Sequence, residues 1–219
     1  MDELLLRALD LAKVKGAVYA DIRFVNTTQE RLVVRNGVVD TLSNDQSTGF
    51  GVRVLVNGSW GFASSQEAKS TEVDRVTDLA VQIANASGLQ SKEPVNLGPP
   101  VTSRGTYTTP IQVDPFKVSS QQKLQTLLDA DRSMASVTGI RSRQGNLVFI
   151  REEKTFANTE GAYVEQTIYE AGGGIQATAV GNDEVQRRSY PQMNGRQQGC
   201  AGWEYITALD IPGHAEQTA

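Results

Sequence analysis

At 219 residues, with 39% hydrophobic and 6% aromatic residues, the chain is long enough to bury a sizeable core as one large domain or two small ones. Its formal net charge is −4, and no basic run exceeds Arg187–Arg188, which excludes the basic stripe by which nucleic-acid binders neutralise phosphates. A single cysteine, Cys200, rules out an intramolecular disulfide, the acidic start "MDELLL" is no secretory signal, and no run approaches the about 18 apolar residues of a membrane span.

The first element in chain order is "DELLLRALDLAKVKG", where Leu5, Ala8, Leu9 and Ala12 recur at helical spacing and Gly16 is placed to stop the helix. In "YADIRFVN", Ala20, Ile22 and Phe24 alternate with polar residues as on a half-buried strand. "ERLVVRNGVVDTLS" reads as two short strands around Asn36–Gly37. "FGVRVLVNGSWGFAS" reads as a hairpin around Asn57–Gly58, residues that tolerate the positive φ of a type I′ turn. A second helix follows, with Thr71 as its cap, Asp74 completing a T-x-x-D box, and Val73, Val76, Ala80, Ile83 and Ala84 on its apolar face; Gly88 closes it.

Five of the seven prolines, Pro94, Pro99, Pro100, Pro110 and Pro115, fall in residues 89–115. Proline removes amide donors and fixes φ, so this stretch reads as an extended connection. The helix-then-strands pattern then restarts. "SSQQKLQTLLDADRSMAS" carries a Ser119/Gln122 capping box and inward Leu124, Leu127 and Leu128. Strands follow in residues 145–170 and 174–190, with turns at Glu160–Gly161 and Gly181–Asn182. Gly37 to Gly49 and Gly161 to Gly173 are both 12 residues apart. The fold expectation is therefore α+β: two helix-plus-antiparallel-meander units, about 1–88 and 116–200, forming a pseudo-repeat across a Pro-rich connection at 89–115.

Few residues combine into chemistry. Glu152 and Glu153 are adjacent on a strand and point to opposite faces. Gly172–Gly174 lacks the Lys-Ser/Thr of a phosphate loop and reads as a bulge or strand crossing. Cys200 has no histidine at a recognisable spacing, so it is not a catalytic nucleophile. His214 is the only histidine; one histidine and one cysteine do not supply the three protein ligands of a catalytic zinc. No catalytic or metal-binding residue is assigned, and no substrate-binding residue is named.

The segments "YADIRFVNTTQERLVVRNGVVD", "STGFGVRVLVNGSWGFAS", "VDPFKVSSQQKLQTLLDAD" and "GCAGWEYI" together resemble the N-terminal domain of the TldD/PmbA family, nearer its TldD-like branch. The resemblance implies a zinc metalloprotease acting on peptides, also known as a modulator of DNA gyrase, with its H-E-x-x-x-H ligands in a C-terminal domain. That motif does not occur in this sequence. The chain is read as an N-terminal domain, 1–200, followed by a truncated lead-in, 201–219, to an absent catalytic domain. "LDIPGHAEQTA" supports this, with Asp210 as a helix N-cap and Pro212 in the first turn. The resemblance implies a cytoplasmic protein that helps wall a substrate cavity and makes homo- or heterodimer contacts, with peptide or unfolded protein as substrate. It implies no direct nucleic-acid binding, no membrane, and no zinc or activity in this chain alone. The alternative is a stand-alone, non-catalytic regulator or partner subunit of a full-length member. Trp203, Tyr205 and Ile206 are the interface candidates, expected to lie on a loosely held tail that buries itself against another chain.

Overall fold

Two Asn-Gly pairs fold the first part of the chain. Asn36 and Gly37 have φ of 48° and 77°, and Asn57 and Gly58 have 51° and 76°. Two consecutive residues at positive φ make the turn whose twist matches a hairpin. These turns join β1 (Tyr19–Arg35) to β2 (Val38–Val56) and β2 to β3 (Ser59–Ser65). The computed structural model describes residues 2–89, 95–100 and 102–219; Pro94 lies outside them. Around the first hairpins stand α1 (Asp2–Val14) and α2 (Ser70–Gly88). Then come β4 (Arg104–Thr108), α3 (Ser120–Ala135), β5 (Ile140–Asn158), β6 (Tyr163–Val180), β7 (Val185–Tyr190), β8 (Gln197–Gly199), α4 (Trp203–Leu209) and α5 (Ile211–Thr218). The hydrogen-bonded order is β3-β2-β1-β5-β6-β4, with β7 and β8 also pairing β6. The fold is α+β with an antiparallel sheet. The order helix-strand-strand-strand occurs twice, in α1-β1-β2-β3 and α3-β5-β6-β7.

The strands are longer than their apolar patterns. β1 has 17 residues and β2 has 19, where alternation suggested separate short strands. A ladder needs only backbone donors and acceptors, so it continues through the polar "NTTQE" and "SNDQST". Strands of this length outrun a single helix pair and supply residues to two cores. The compact units therefore differ from the sequential units 1–88 and 116–200. One is built from residues up to Thr27, Ser47–Tyr107 and Glu152–Thr167; the other from Thr28–Gln46, Thr108–Arg151 and Ile168–Ala219.

In the first unit, α1 buries Leu5, Ala8, Leu9 and Ala12, the expected face, against Ala20, Ile22 and Phe24 of β1 and Val52 and Val54 of β2. α2 adds Val73, Val76, Ala80, Val81 and Ala84, but Ile83, expected inside, is 37% exposed. The expected Thr71 cap is also corrected. The N-cap is Lys69, in an extended conformation and without a side-chain cap. Asp74 instead takes two hydrogen bonds from Arg7 of α1, at 2.7 and 2.6 Å. Gly61 lets β3 and α2 meet: a Cβ there would stand 2.6 Å from the Ala84 amide nitrogen.

In the second unit, α3 is capped by the Ser119 hydroxyl, which accepts from the Gln122 amide at 3.2 Å. It buries Leu127, Ala130 and Met134 against Leu147, Phe149 and Ile175. The connection at 89–115 is more than a linker, since its Arg104–Thr108 segment pairs with β6 as an exposed strand. Gly172–Gly174 marks a change of partner. Gly172 and Gly173 pair with Gln198 and Gln197 of β8, whereas Ile175 pairs with Tyr190 of β7.

Candidate functional site

In the first unit, strand alternation leaves one sheet face without helices. Ala20, Ile22 and Phe24 of β1 face α1 and α2, so Asp21, Arg23, Val25 and Thr27 stand on the opposite side. On β2 the same logic puts Gly49, Gly51 and Arg53 there. The β2–β3 register sets Arg53 opposite Phe62 and Gly51 opposite Ser64. Phe62 is 57% exposed. Its ring lies across Gly51, where an added Cβ would stand 2.8 Å from a ring carbon. A groove of about 780 Å³ opens on this face, lined by Asp21, Arg23, Gly49, Gly51, Arg53 and Phe62 together with flanking residues.

One end of the groove is rigidly built. Asp21 is 2% exposed and accepts from Arg53 Nε at 2.8 Å and Nη2 at 2.6 Å. The Arg53 guanidinium lies 4.6 Å from the Trp60 ring centroid, and Tyr19 meets Trp60 edge-on at 5.8 Å. Burial works against the Arg53 charge, but hydrogen bonding and charge from Asp21, with help from Tyr19, outweigh it and raise its pKa. Burial, then the Asp21 charge, raises the Tyr19 phenol. Beside the groove a second hollow of about 330 Å³ is lined by Arg23, Lys154, Phe156, Val164 and Gln166. Arg23 lies 5.3 Å over the Phe156 ring, and Lys154 pairs with Glu152 at 3.1 Å. The face offers cations, apolar rings and a glycine floor. It can hold a side chain or a backbone stretch, and it presents no nucleophile with an adjacent base.

The sequence-predicted residues lie in the second unit, and not on an open surface. Trp203 is 9% and Ile206 1% exposed; both belong to the core, with the Trp203 ring 5.8 Å from Phe149. Tyr205 is half-buried and packs on the same core. The loosely held tail is thus corrected: α4 and α5 fold back onto α3 and the strands, because their apolar residues find a partner within the chain. Asp210 caps α5 as expected, its carboxylate accepting from the Gly213 amide at 3.3 Å. His214 stacks on Tyr190 with centroids 4.1 Å apart, and Cys200 is exposed. Among the described residues no three His, Cys, Asp or Glu side chains come together, and no helix is long and apolar enough to cross a membrane.

The chain is a layered α+β protein with two buried cores and a groove on the open face of its first unit. Two successive family descriptions match it: PmbA/TldA metallopeptidase domain 1 over residues 20–84 and the PmbA/TldA metallopeptidase central domain over residues 113–214. The chain belongs to the PmbA/TldD family. It is 26% identical over 210 residues to a metalloprotease of Methanothermobacter thermautotrophicus, covering 89% of this chain and 44% of that protein. Among solved structures it resembles a Thermotoga maritima protein named as a candidate modulator of a DNA gyrase, with TM-score 0.74, 20% identity, and coverage of 100% of this chain and 47% of that one. TldE of Thermococcus kodakarensis gives a TM-score of 0.64 at 14% identity, over 98% of this chain and 46% of that one. The chain thus spans about half the length of these relatives and corresponds to their N-terminal part.

Proposed function

We propose that the chain serves as the N-terminal part of a PmbA/TldD-type metallopeptidase, where it helps wall the cavity that holds a peptide substrate and contributes dimer contacts. The uncovered groove between Phe62 and the Asp21–Arg53 pair carries this reading. An extended peptide presents side chains and backbone to such a face without needing a deep pocket. In this reading the zinc chemistry lies in the part of the family's proteins that this chain, spanning 44% of one metalloprotease relative, does not cover. Proteolysis or peptide maturation is then a property of the complete enzyme, in the cytoplasm, and this chain contributes binding.

Fluorescence anisotropy with a labelled unfolded peptide tests the reading. The 219-residue chain is expected to bind it, and Phe62→Ala to weaken binding about tenfold, as loss of a central aromatic contact does. Equal binding by parent and variant would remove the groove as the substrate wall.

A further inference from the structure

On the open face of the first unit, Arg53 and Lys154 each have a close carboxylate partner. Arg53 is committed to Asp21 at 2.6 Å, and Lys154 to Glu152 at 3.1 Å. Arg23 is left over. Its Nε is 3.9 Å from Asp21 Oδ1, beyond hydrogen-bond range, while the other Asp21 oxygen already takes both Arg53 donors. The Arg23 side chain is 51% exposed. It is nevertheless oriented, because its guanidinium lies 5.3 Å over the Phe156 ring. It lines both the large groove and the smaller hollow beside it. A planar fork of donors, held on an aromatic ring at the meeting of two cavities, matches a carboxylate in geometry and in charge.

We infer that Arg23 is an acid-selecting subsite: the groove takes an extended peptide whose acidic side chain pairs with Arg23 while a neighbouring apolar side chain lies against Phe62 and the Gly51 floor. This rests on the peptide-binding reading above and gives it a substrate class. Charge complementarity selects the occupant. The chain as a whole carries −4, yet this face holds Arg23, Arg53 and Lys154 against Asp21 and Glu152.

The probes are short fluorescein-labelled peptides, amidated at the C-terminus, that carry Phe and one variable neighbour: Asp, Asn or Lys. Amidation ensures that only the side chain offers a carboxylate. The parent chain is expected to bind the Asp peptide about tenfold tighter than the Asn peptide, and the Lys peptide most weakly. Raising ionic strength should shrink the preference, because Arg23 is half exposed and screened by salt. Arg23→Gln should remove the Asp preference, so that the Asp and Asn peptides bind alike; Arg23→Lys should restore part of it. Circular dichroism and the unfolding midpoint establish that both variants are folded. If all three peptides bind the parent equally and Phe62→Ala weakens them all, the groove reading stands and the Arg23 subsite is overturned. A preference for Asp that survives Arg23→Gln overturns it as well. If none of the peptides binds, both readings fall.

Discussion

Arg53 directs both its Nε and its Nη2 to the same Asp21 oxygen, at 2.8 and 2.6 Å. The geometry is asymmetric in solvation too: the Asp21 side chain is 3% exposed and that of Arg53 42%. The carboxylate has been taken out of water, and Arg53, itself over the Trp60 ring, is its close cation. The pair holds Arg53 flat at the end of the groove, so stability and site geometry are linked here.

Asp21→Ala is therefore expected to destabilise the protein by about 1–2 kcal/mol. That lies below the cost of breaking a fully buried pair, because Arg53 remains partly solvated. Arg53→Met should cost at least as much, since it leaves the buried Asp21 charge with only the long Arg23 contact at 3.9 Å. The double variant should cost less than the sum, and urea unfolding midpoints measure the coupling. Additive effects would show that the two side chains do not work as a pair.

Trp203 and Ile206 distinguish a folded-back tail from an intermolecular one. Both are buried among Phe149, Leu147 and Met134. Trp203→Ala is expected to cost about 3–5 kcal/mol and Ile206→Ala about 2–5 kcal/mol. A tail held only by a second chain would instead give variants with an unchanged unfolding midpoint and weaker self-association in light scattering.

How legible this was follows from where the information sits. The buried faces of α1 and α3, the Asn57–Gly58 turn and the Asp210 cap depend on residues a few positions apart, and the sequence shows them. Lengths of β1 and β2 do not, because a ladder crossing "NTTQE" is held by neighbouring strands. The Thr71 cap failed for a similar reason: Asp74 answers to Arg7, 67 residues away. The groove left only a faint trace, in the polar positions of the strand that reads Ala20, Ile22 and Phe24 inward. Asp21 and Arg23 occupy that other face, but no local pattern tells that helices leave it uncovered, or that Phe62 lies across Gly51. Trp203 and Ile206 misled because an apolar segment near a chain end looks the same whether it meets its own core or a partner.

The first turn of α2 should respond to acid. Hydrogen bonding from Arg75, then from Ser65, lowers the Glu72 carboxyl from its ordinary 4.5 to about 2. Arg75 donates to it at 2.9 and 2.7 Å. A carboxylate whose folded pKa is depressed contributes stability that is present above its unfolded pKa. That contribution is lost as pH falls through the folded value. The window here runs from about 4.5 down to about 2. Carboxyl carbon chemical shifts followed against pH should place the Glu72 midpoint well below that of exposed glutamates. Arg75→Gln should bring it back towards them. A midpoint near 4.5 in the parent would show that the Arg75 and Ser65 contacts do not persist in solution.

The Lys123 ammonium bonds to Glu30 Oε2 inside the second unit, where the two side chains are only 1% and 8% exposed. Lys123 projects from α3 into a layer that otherwise holds Leu127, Ala130 and Met134, and its Nζ lies 4.8 Å from the Phe149 ring centroid. Each charge compensates the other, and the ring face adds a second favourable contact for the cation. Desolvating two ions offsets most of what their attraction returns, so the pair as a whole adds little net stability. Removing one partner is different, because the other is left buried and uncompensated. Lys123→Met should therefore cost about 3–5 kcal/mol, and Glu30→Leu a comparable amount. The double variant Lys123→Met/Glu30→Leu replaces the pair with apolar groups of similar size and should recover to within about 1 kcal/mol of the parent, or exceed it. Guanidinium unfolding of the four proteins reads this directly. If Lys123→Met alone were as stable as the parent, Glu30 would have to reach water or another donor in solution, and the buried pair would not exist as described.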